Sequence, residues 1–383
     1  MTSRLLFLTC MPLSEPKSAS MAFMGLVLQA FPGRFAWFSL RGGAKSEWET
    51  SGLPYAGAKI AAGPARPTAF RLVWRYFISP RWQARQAARF ARQQGCSAVL
   101  ADLAFEAVIT GRLTARRLGV PLLVNIHDDP PSRLSVKGLP SWFLRWYERQ
   151  FTRTLRAAQK VGVISDYMGE YYQQRYDVRT QTLYPGVEAT ASPKPAVPPA
   201  QDEPLWVGSI GSMNSSENWQ TLLAAIQLLN AQNGRGRYRV LHIGQPPRSL
   251  PAGEGVEFTG WLPPAEFNHQ LARLSVGFLN MPFGSDLAQG ARLSFPLKLS
   301  SLLGAGCPLL AFGPEGSSVV RLVRQYACGA VCTEPNALAL AAALESVTND
   351  GAARQTALQG VEKLRADLSR DKFLAAFETF ITV

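Results

Sequence analysis

Residues 188–204 read EATASPKPAVPPAQDEP, with five prolines and almost no large apolar side chain. Proline lacks the N–H that helices and sheet ladders need, so this stretch reads as an extended, fairly stiff linker. One hydrophobic core must end before it and another begin after it. The expected divisions are a first domain at 1–188, a linker at 189–204 and a second domain at 205–368. A last helix at 369–383 is expected to pack back on the first domain. The chain of 383 residues is long enough for two domains of ordinary size.

On each side of the linker, short continuous apolar runs alternate with longer helical patterns. Before it, strands are expected at 4–10, 35–40, 98–101, 121–126 and 161–164. Helices are expected at 20–30, 104–118, 141–158 and 166–174, and one more opens with Ser79 as its cap and Pro80 in its first turn. After the linker, strands are expected at 205–208, 239–243, 256–258, 276–279 and 308–312. Helices follow at 219–229, 264–274, 297–303, 319–326, 337–347, 352–368 and 372–380. Strands that are apolar throughout and separated by helices fit a parallel sheet covered on both faces. Two such doubly wound units are expected to face each other across a cleft at the carboxyl ends of their strands, where open sheets bind ligands.

No apolar run reaches the roughly 18 residues of a membrane helix. The apolar start, residues 1–13, has one Arg and no small-x-small site, and reads as a buried strand rather than a secretory leader. The five cysteines lie mostly in apolar segments and read as buried thiols of a reducing compartment. Cys328 and Cys332 are the only near pair and make a weak metal motif.

The net charge of +13 is confined to one side. Residues 1–190 hold 25 Lys and Arg against 12 Asp and Glu, whereas residues 191–383 hold 15 of each. An anionic partner is therefore expected for the first half.

Five blocks in order carry a family resemblance. They are IHDDPP, VGVISDYMGEYYQQRYDVRTQTLYPGVE, VGSIGSMNSSENWQTLLAAIQLL, VEFTGWLPPAEFNHQLARLSVGFLNMPF and SFPLKLSSLLGAGCPLLAF. Together they resemble GT-B glycosyltransferases of family 4, whose fold is two facing Rossmann-like domains. The resemblance implies a sugar transferase that takes a nucleotide-sugar donor, retains the anomeric configuration and needs neither metal nor cofactor. The acceptor would be a glycan or a lipid-linked glycan. The donor phosphates are expected to meet Ser209, Gly211, Ser212, Phe295, Pro296, Leu297 and Lys298, with Arg292 and Lys298 supplying positive charge in place of the family's usual basic residues, which are absent here. Residues 294–298 would open a helix whose N–H groups suit a diphosphate. Gly260, Trp261, Leu262 and Ser301 would meet the nucleoside. His127, at a strand end, would be the catalytic-side contact to the transferred sugar, with a hydrogen-bonded structural His as the other reading. Asp128 and Asp129 do not suggest a metal site by themselves, and one of them reads as a cap of the next turn.

The sequence departs from the family at the two acids it usually carries in this stretch, where Leu293 and Ser301 stand. A catalytically silent GT-B binding or scaffold protein therefore stays open beside the transferase, as does a nucleotide-sugar epimerase of the same fold.

Residues 71–92, RLVWRYFISPRWQARQAARFAR, contain no acid and interleave aromatics with Arg75, Arg81, Arg85, Arg89 and Arg92. Such a helix suits an anionic membrane surface or the acceptor. A solvated basic face with its aromatics turned inward is the plain alternative. Nucleic acid ranks low because no nucleic-acid module accompanies the charge. The expected location is cytoplasmic, peripheral on the inner face of the membrane.

Overall fold

The computed structural model describes residues 4–11, 19–41, 53–58, 72–190, 194, 200, 203–211, 215–234, 236–245, 255–284 and 287–383. Most of the expected linker, as well as Ser212 and Arg71, lies outside the described residues. The chain divides into two compact units: residues 1–184 with 374–383, and residues 185–373.

In the first unit a seven-stranded parallel sheet has the order β3-β2-β1-β4-β5-β6-β7. Its strands are β1 (Arg4–Thr9), β2 (Phe35–Ser39), β3 (Tyr55–Gly57), β4 (Cys96–Asp102), β5 (Leu122–Ile126), β6 (Lys160–Val163) and β7 (Gln181–Thr182). Every residue of β2 and of β5 is buried, as continuous apolar strands between helical layers must be. Helix α1 (Ala19–Ala30) follows β1, and α2 (Ser79–Gln93) packs on α3 (Ala107–Leu118) through Ala84, Ala87, Ala88 and Ala91. Gly111 lets α3 approach the sheet, since a Cβ there would lie 2.7 Å from the Ala101 Cβ. Then come α4 (Pro130–Ser135), α5 (Ser141–Ala157) and α6 (Asp166–Tyr176).

One boundary differs from expectation. Ser79 does not cap a new helix, because a π-turn, Trp74–Ile78, runs straight into α2. The Ser79 N–H donates to the Trp74 carbonyl, and its hydroxyl donates to the Arg75 carbonyl at 2.9 Å. A proline inside a helix clashes with the carbonyl four residues back. The wider π-turn relieves that clash at Pro80, so the chain stays helical through it.

The second unit holds a six-stranded parallel sheet of order β10-β9-β8-β11-β12-β13. These are β8 (Leu205–Ile210), β9 (Tyr238–Ile243), β10 (Val256–Phe258), β11 (Val276–Asn280), β12 (Leu309–Phe312) and β13 (Gly329–Cys332). Around it lie α7 (Ser216–Asn233), α8 (Pro264–Ala272), α9 (Ala288–Leu293), α10 (Lys298–Gly304), α11 (Ser318–Tyr326), α12 (Ala337–Asn349) and α13 (Gly351–Asp367). Trp219, Leu222 and Ile226 of α7 meet Val207, Val240 and Phe278 of the sheet and Leu340 and Leu344 of α12 in one core. The order steps away on both sides of β8, so the topological switch point lies between β8 and β11.

The last helix, α14 (Arg370–Ile381), begins in the second unit and ends in the first. Its later turns belong to the first core: Phe377 lies 5.8 Å from the Phe31 ring, and Lys160 Nζ donates to the carbonyls of Thr379 and Thr382. All five cysteines are free thiols, and four of them are buried.

Candidate functional site

In the second unit the carboxyl ends of β8, β9 and β11 build one polar locus. β8 ends at Gly211 (φ +74°) and β9 at Gly244 (φ +145°). A Cβ on Gly244 would lie 3.1 Å from the Gly211 backbone, so the two turns touch main chain to main chain and require glycine. Beneath them His242 is fully buried, its Nδ1 3.3 Å from Ser209 Oγ and its Nε2 3.3 Å from the Gln245 carbonyl. Burial lowers the His242 pKa, and the nearby Lys298 charge lowers it further against the pull of the Gln245 carbonyl. The imidazole is therefore neutral at physiological pH.

Lys298 is the first residue of α10, and its ammonium donates to Asn280 Oδ1 at 3.3 Å, at the end of β11. Burial alone pushes its pKa down to about 8. Among the described residues no carboxylate pairs with it. An ammonium held by a neutral amide keeps its affinity for an anion, and burial strengthens that attraction.

The expected donor contacts divide. Gly211 and Lys298 belong to this locus. The Ser209 side chain is 2% exposed and turned to His242. Helix α10 starts at Lys298, later than expected, and has only seven residues. Phe295, Pro296 and Leu297 form its approach. The Phe295 ring is buried, which leaves its main chain as the group that can face a ligand. Arg292 is exposed on α9. Gly260 (φ +70°) turns the chain after β10, Trp261 beside it is 63% exposed, and Leu262 is half-buried. Ser301 is half-buried on α10, whereas Leu293 is completely buried, which explains an apolar residue there. Asn280 and His242 were not anticipated. Their positions at strand ends beside the switch point were the available signal.

In the first unit, His127 follows β5 and meets Asp102 at the end of the neighbouring β4, with Nε2 3.9 Å from Oδ1. The Asn125 amide nitrogen lies 2.9 Å from the same ring atom. Asp102 also accepts from Thr9 Oγ1 at 3.2 Å. Burial raises the Asp102 pKa, His127 and Thr9 draw it back, and Asp128 adds to the rise. A carboxyl beside an imidazole can accept or release a proton. Sequence reasoning assigned Asp102 no role, although it too ends a strand of the sheet.

One of the two aspartates, Asp129, is the expected cap. Asp129 caps α4, accepting from the Ser132 N–H at 3.0 Å and from the Tyr172 hydroxyl at 2.7 Å. Asp128 pairs with Arg133 at 2.5 Å. Among the described residues no three His, Cys, Asp or Glu side chains converge as metal ligands.

The basic helix is two-faced. Arg81, Arg85, Arg89 and Arg92 are all exposed on α2. Phe77 stacks on Trp146 of α5 at 3.9 Å, and Tyr76 packs edge-on against Phe143 and Tyr147. Those aromatics turn inward, but Trp74, Ile78, Trp82 and Trp142 stay 41–53% exposed. Arg75 differs from the other arginines: its guanidinium is bound to the buried Glu106 at 2.6 Å. No helix among the described residues is long and apolar enough to cross a membrane.

Comparison with known proteins agrees with this architecture. Residues 44–191 match the family described as Glycosyltransferase Family 4. No match was found among curated protein sequences. Among solved structures, HepE from Anabaena in complex with UDP aligns with TM-score 0.67 and 15% identity over 98% of both chains. Sucrose-phosphate synthase from Thermosynechococcus elongatus gives 0.66 and 13% over 98% of both chains. The lipopolysaccharide outer core galactosyltransferase WaaB, in its apo form, gives 0.64 and 12% over 99% of both chains. With two parallel sheets of these strand orders, the chain has the fold of the GT-B glycosyltransferases.

Proposed function

We propose that the protein is a glycosyltransferase that moves a sugar from a nucleotide-sugar to a hydroxyl of a glycan or lipid-linked acceptor. The observation that carries this reading is Lys298, a half-buried lysine whose ammonium has a neutral amide partner beside the glycine turns of the switch point. In this reading the donor diphosphate lies against Lys298 and the main chain of Gly211 and Gly244. As the anomeric C–O bond breaks, negative charge grows on the departing phosphate, and the ammonium stabilises it more in the transition state than in the ground state. The acceptor oxygen forms the new bond to the anomeric carbon and passes its proton to the leaving phosphate. Configuration is retained, and neither metal nor cofactor takes part. His127 and Asp102 of the first unit are assigned to the sugar and its acceptor. UDP is bound in the similar HepE structure, which makes it the first nucleotide to test.

A thermal-shift panel of nucleoside diphosphates and nucleotide-sugars tests the donor site. A ligand at a hundred times its Kd stabilises by about 2.7 kcal/mol. No shift with any nucleotide would refute the proposal. The silent-binder reading has its own support in Leu293 and Ser301, which replace the usual acids. Nucleotide binding without sugar transfer to any acceptor would favour it.

The acceptor side is proposed to dock on an anionic membrane from the cytoplasmic face. The exposed Trp74, Trp82 and Trp142 beside Arg81, Arg85 and Arg89 support this, since Trp suits the headgroup region and each Arg adds about 1 kcal/mol at such a surface.

A further inference from the structure

Three cations of the first unit gather round one aromatic ring. The guanidinium carbons of Arg41 and Arg75 lie 4.9 and 5.0 Å from the centre of the Phe105 ring, and Lys137 Nζ lies 4.5 Å from it. They come from the end of β2, the π-turn and the segment after α4. A single carboxylate, Glu106, sits among them, 5% exposed, at 2.6 Å from Arg75 and 3.6 Å from Arg41. Lys137 has no acid partner among the described residues. Burial lowers its pKa, and Arg75, Arg133 and Arg41 lower it further, with Glu106 opposing them.

The ring is held there against its own backbone preference. Phe105 has φ +46°, a left-handed conformation uncommon for a bulky residue, and its carbonyl accepts from the buried Tyr147 hydroxyl at 2.8 Å. Such outliers concentrate where a side chain must be aimed. Arg41 and Arg75 keep 44% and 39% of their side chains exposed, so a ligand can reach them. Three cations against one carboxylate leave two positive charges without compensation, at the strand ends of the sheet that also carries Asp102 and His127.

We propose that Arg41, Arg75 and Lys137 bind a phosphoryl group carried by the acceptor, with the Phe105 ring as their common support. Forked guanidinium donors fit phosphate oxygens, and Lys137 adds a point charge. This deepens the transferase reading and rests on its assignment of the first unit to the acceptor. The phosphoryl group belongs either to a soluble sugar phosphate or to a lipid-linked diphosphate.

The test titrates inorganic pyrophosphate, then UDP, into full-length protein and into the variants R41Q/K137Q and K298Q by calorimetry. Pyrophosphate should bind the wild type, and R41Q/K137Q should weaken it about tenfold or more while leaving UDP affinity unchanged. K298Q should weaken UDP and leave a pyrophosphate site that still depends on Arg41 and Lys137. Pyrophosphate affinity unchanged in R41Q/K137Q, or lost only in K298Q, overturns the proposal. Failure of UDP to bind at all, with pyrophosphate still sensitive to R41Q/K137Q, would refute the donor reading and leave this site standing. R41K/K137R, which keeps the charge, should retain most of the affinity; a loss equal to that of R41Q/K137Q would mean altered folding and overturn the assignment. Glucose 6-phosphate against an alkyl diphosphate in neutral vesicles then identifies the source, and binding of neither overturns an acceptor role.

Discussion

Lys298 Nζ lies 3.3 Å from Asn280 Oδ1, so this half-buried ammonium meets an amide oxygen rather than a carboxylate. Because burial sets its pKa near 8, below the usual value for lysine of about 10.4, proton linkage follows. The native state binds fewer protons at this group than the unfolded state between those two values. Stability should therefore rise with pH from about 8 to about 10.4, by at most about 3 kcal/mol from this residue. K298M should remove that component from the pH dependence of denaturant unfolding.

The same residue predicts proton uptake on binding. At pH 8 about half of the Lys298 side chains are neutral, and a diphosphate should return them to the charged form. Calorimetry of UDP binding in buffers of different ionisation enthalpy should show uptake of up to about 0.5 proton. K298Q should abolish the uptake. An unchanged proton count in K298Q would place the diphosphate elsewhere.

Replacing His127 or Asp102 should separate binding from turnover. H127A and D102N should each lower the rate of sugar transfer about a hundredfold or more, within the range for a positioned acid or base. UDP affinity should stay within twofold of wild type, because both residues belong to the first unit. A loss of UDP affinity matching the loss of rate would contradict their place on the acceptor side.

Ser301 is half-buried, whereas Leu293 is completely enclosed. S301E should therefore be tolerated and should raise nucleoside diphosphate affinity about tenfold, as a charged hydrogen bond to ribose of about 1.5–3 kcal/mol allows. L293E should unfold the second unit, because it buries an unpaired charge. A fall in melting temperature for S301E without gain in affinity would favour the silent binder.

Vesicle flotation tests the basic face. R81Q/R85Q/R89Q should release the protein from anionic vesicles, as should high salt, and neutral vesicles should not bind it. W82S should weaken attachment without altering its salt dependence. Equal flotation on neutral and anionic vesicles would rule out the electrostatic account.

The sequence disclosed what depends on local pattern. Apolar runs such as 121–126 and helix stops such as Gly119 announced the sheets and their coverings, because burial and left-handed backbone each leave a local mark. Edge strands were missed: Tyr55–Gly57 and Gln181–Thr182 are too short to carry a period. β13, Gly329–Cys332, was missed because Cys328 before it and Cys332 at its end drew attention as a pair, although both thiols are free. The π-turn was hidden by an amphipathic pattern that runs unbroken through 71–92. Positions fixed by one local element could be read from the sequence, as with His127 after a strand and Lys298 at the start of a helix. The site was illegible where partners meet only in the fold: Arg41, Glu106 and Lys137 are far apart in sequence and adjacent around Phe105.

Equilibrium binding of UDP and the other nucleoside diphosphates to the wild type and to K298Q tests the central claim most directly. The account predicts that at least one nucleotide binds the wild type and stabilises it, and that K298Q weakens that nucleotide about ten- to a hundredfold with its fold intact. Equal affinity in both proteins, or no binding of any nucleotide to the wild type, would contradict it.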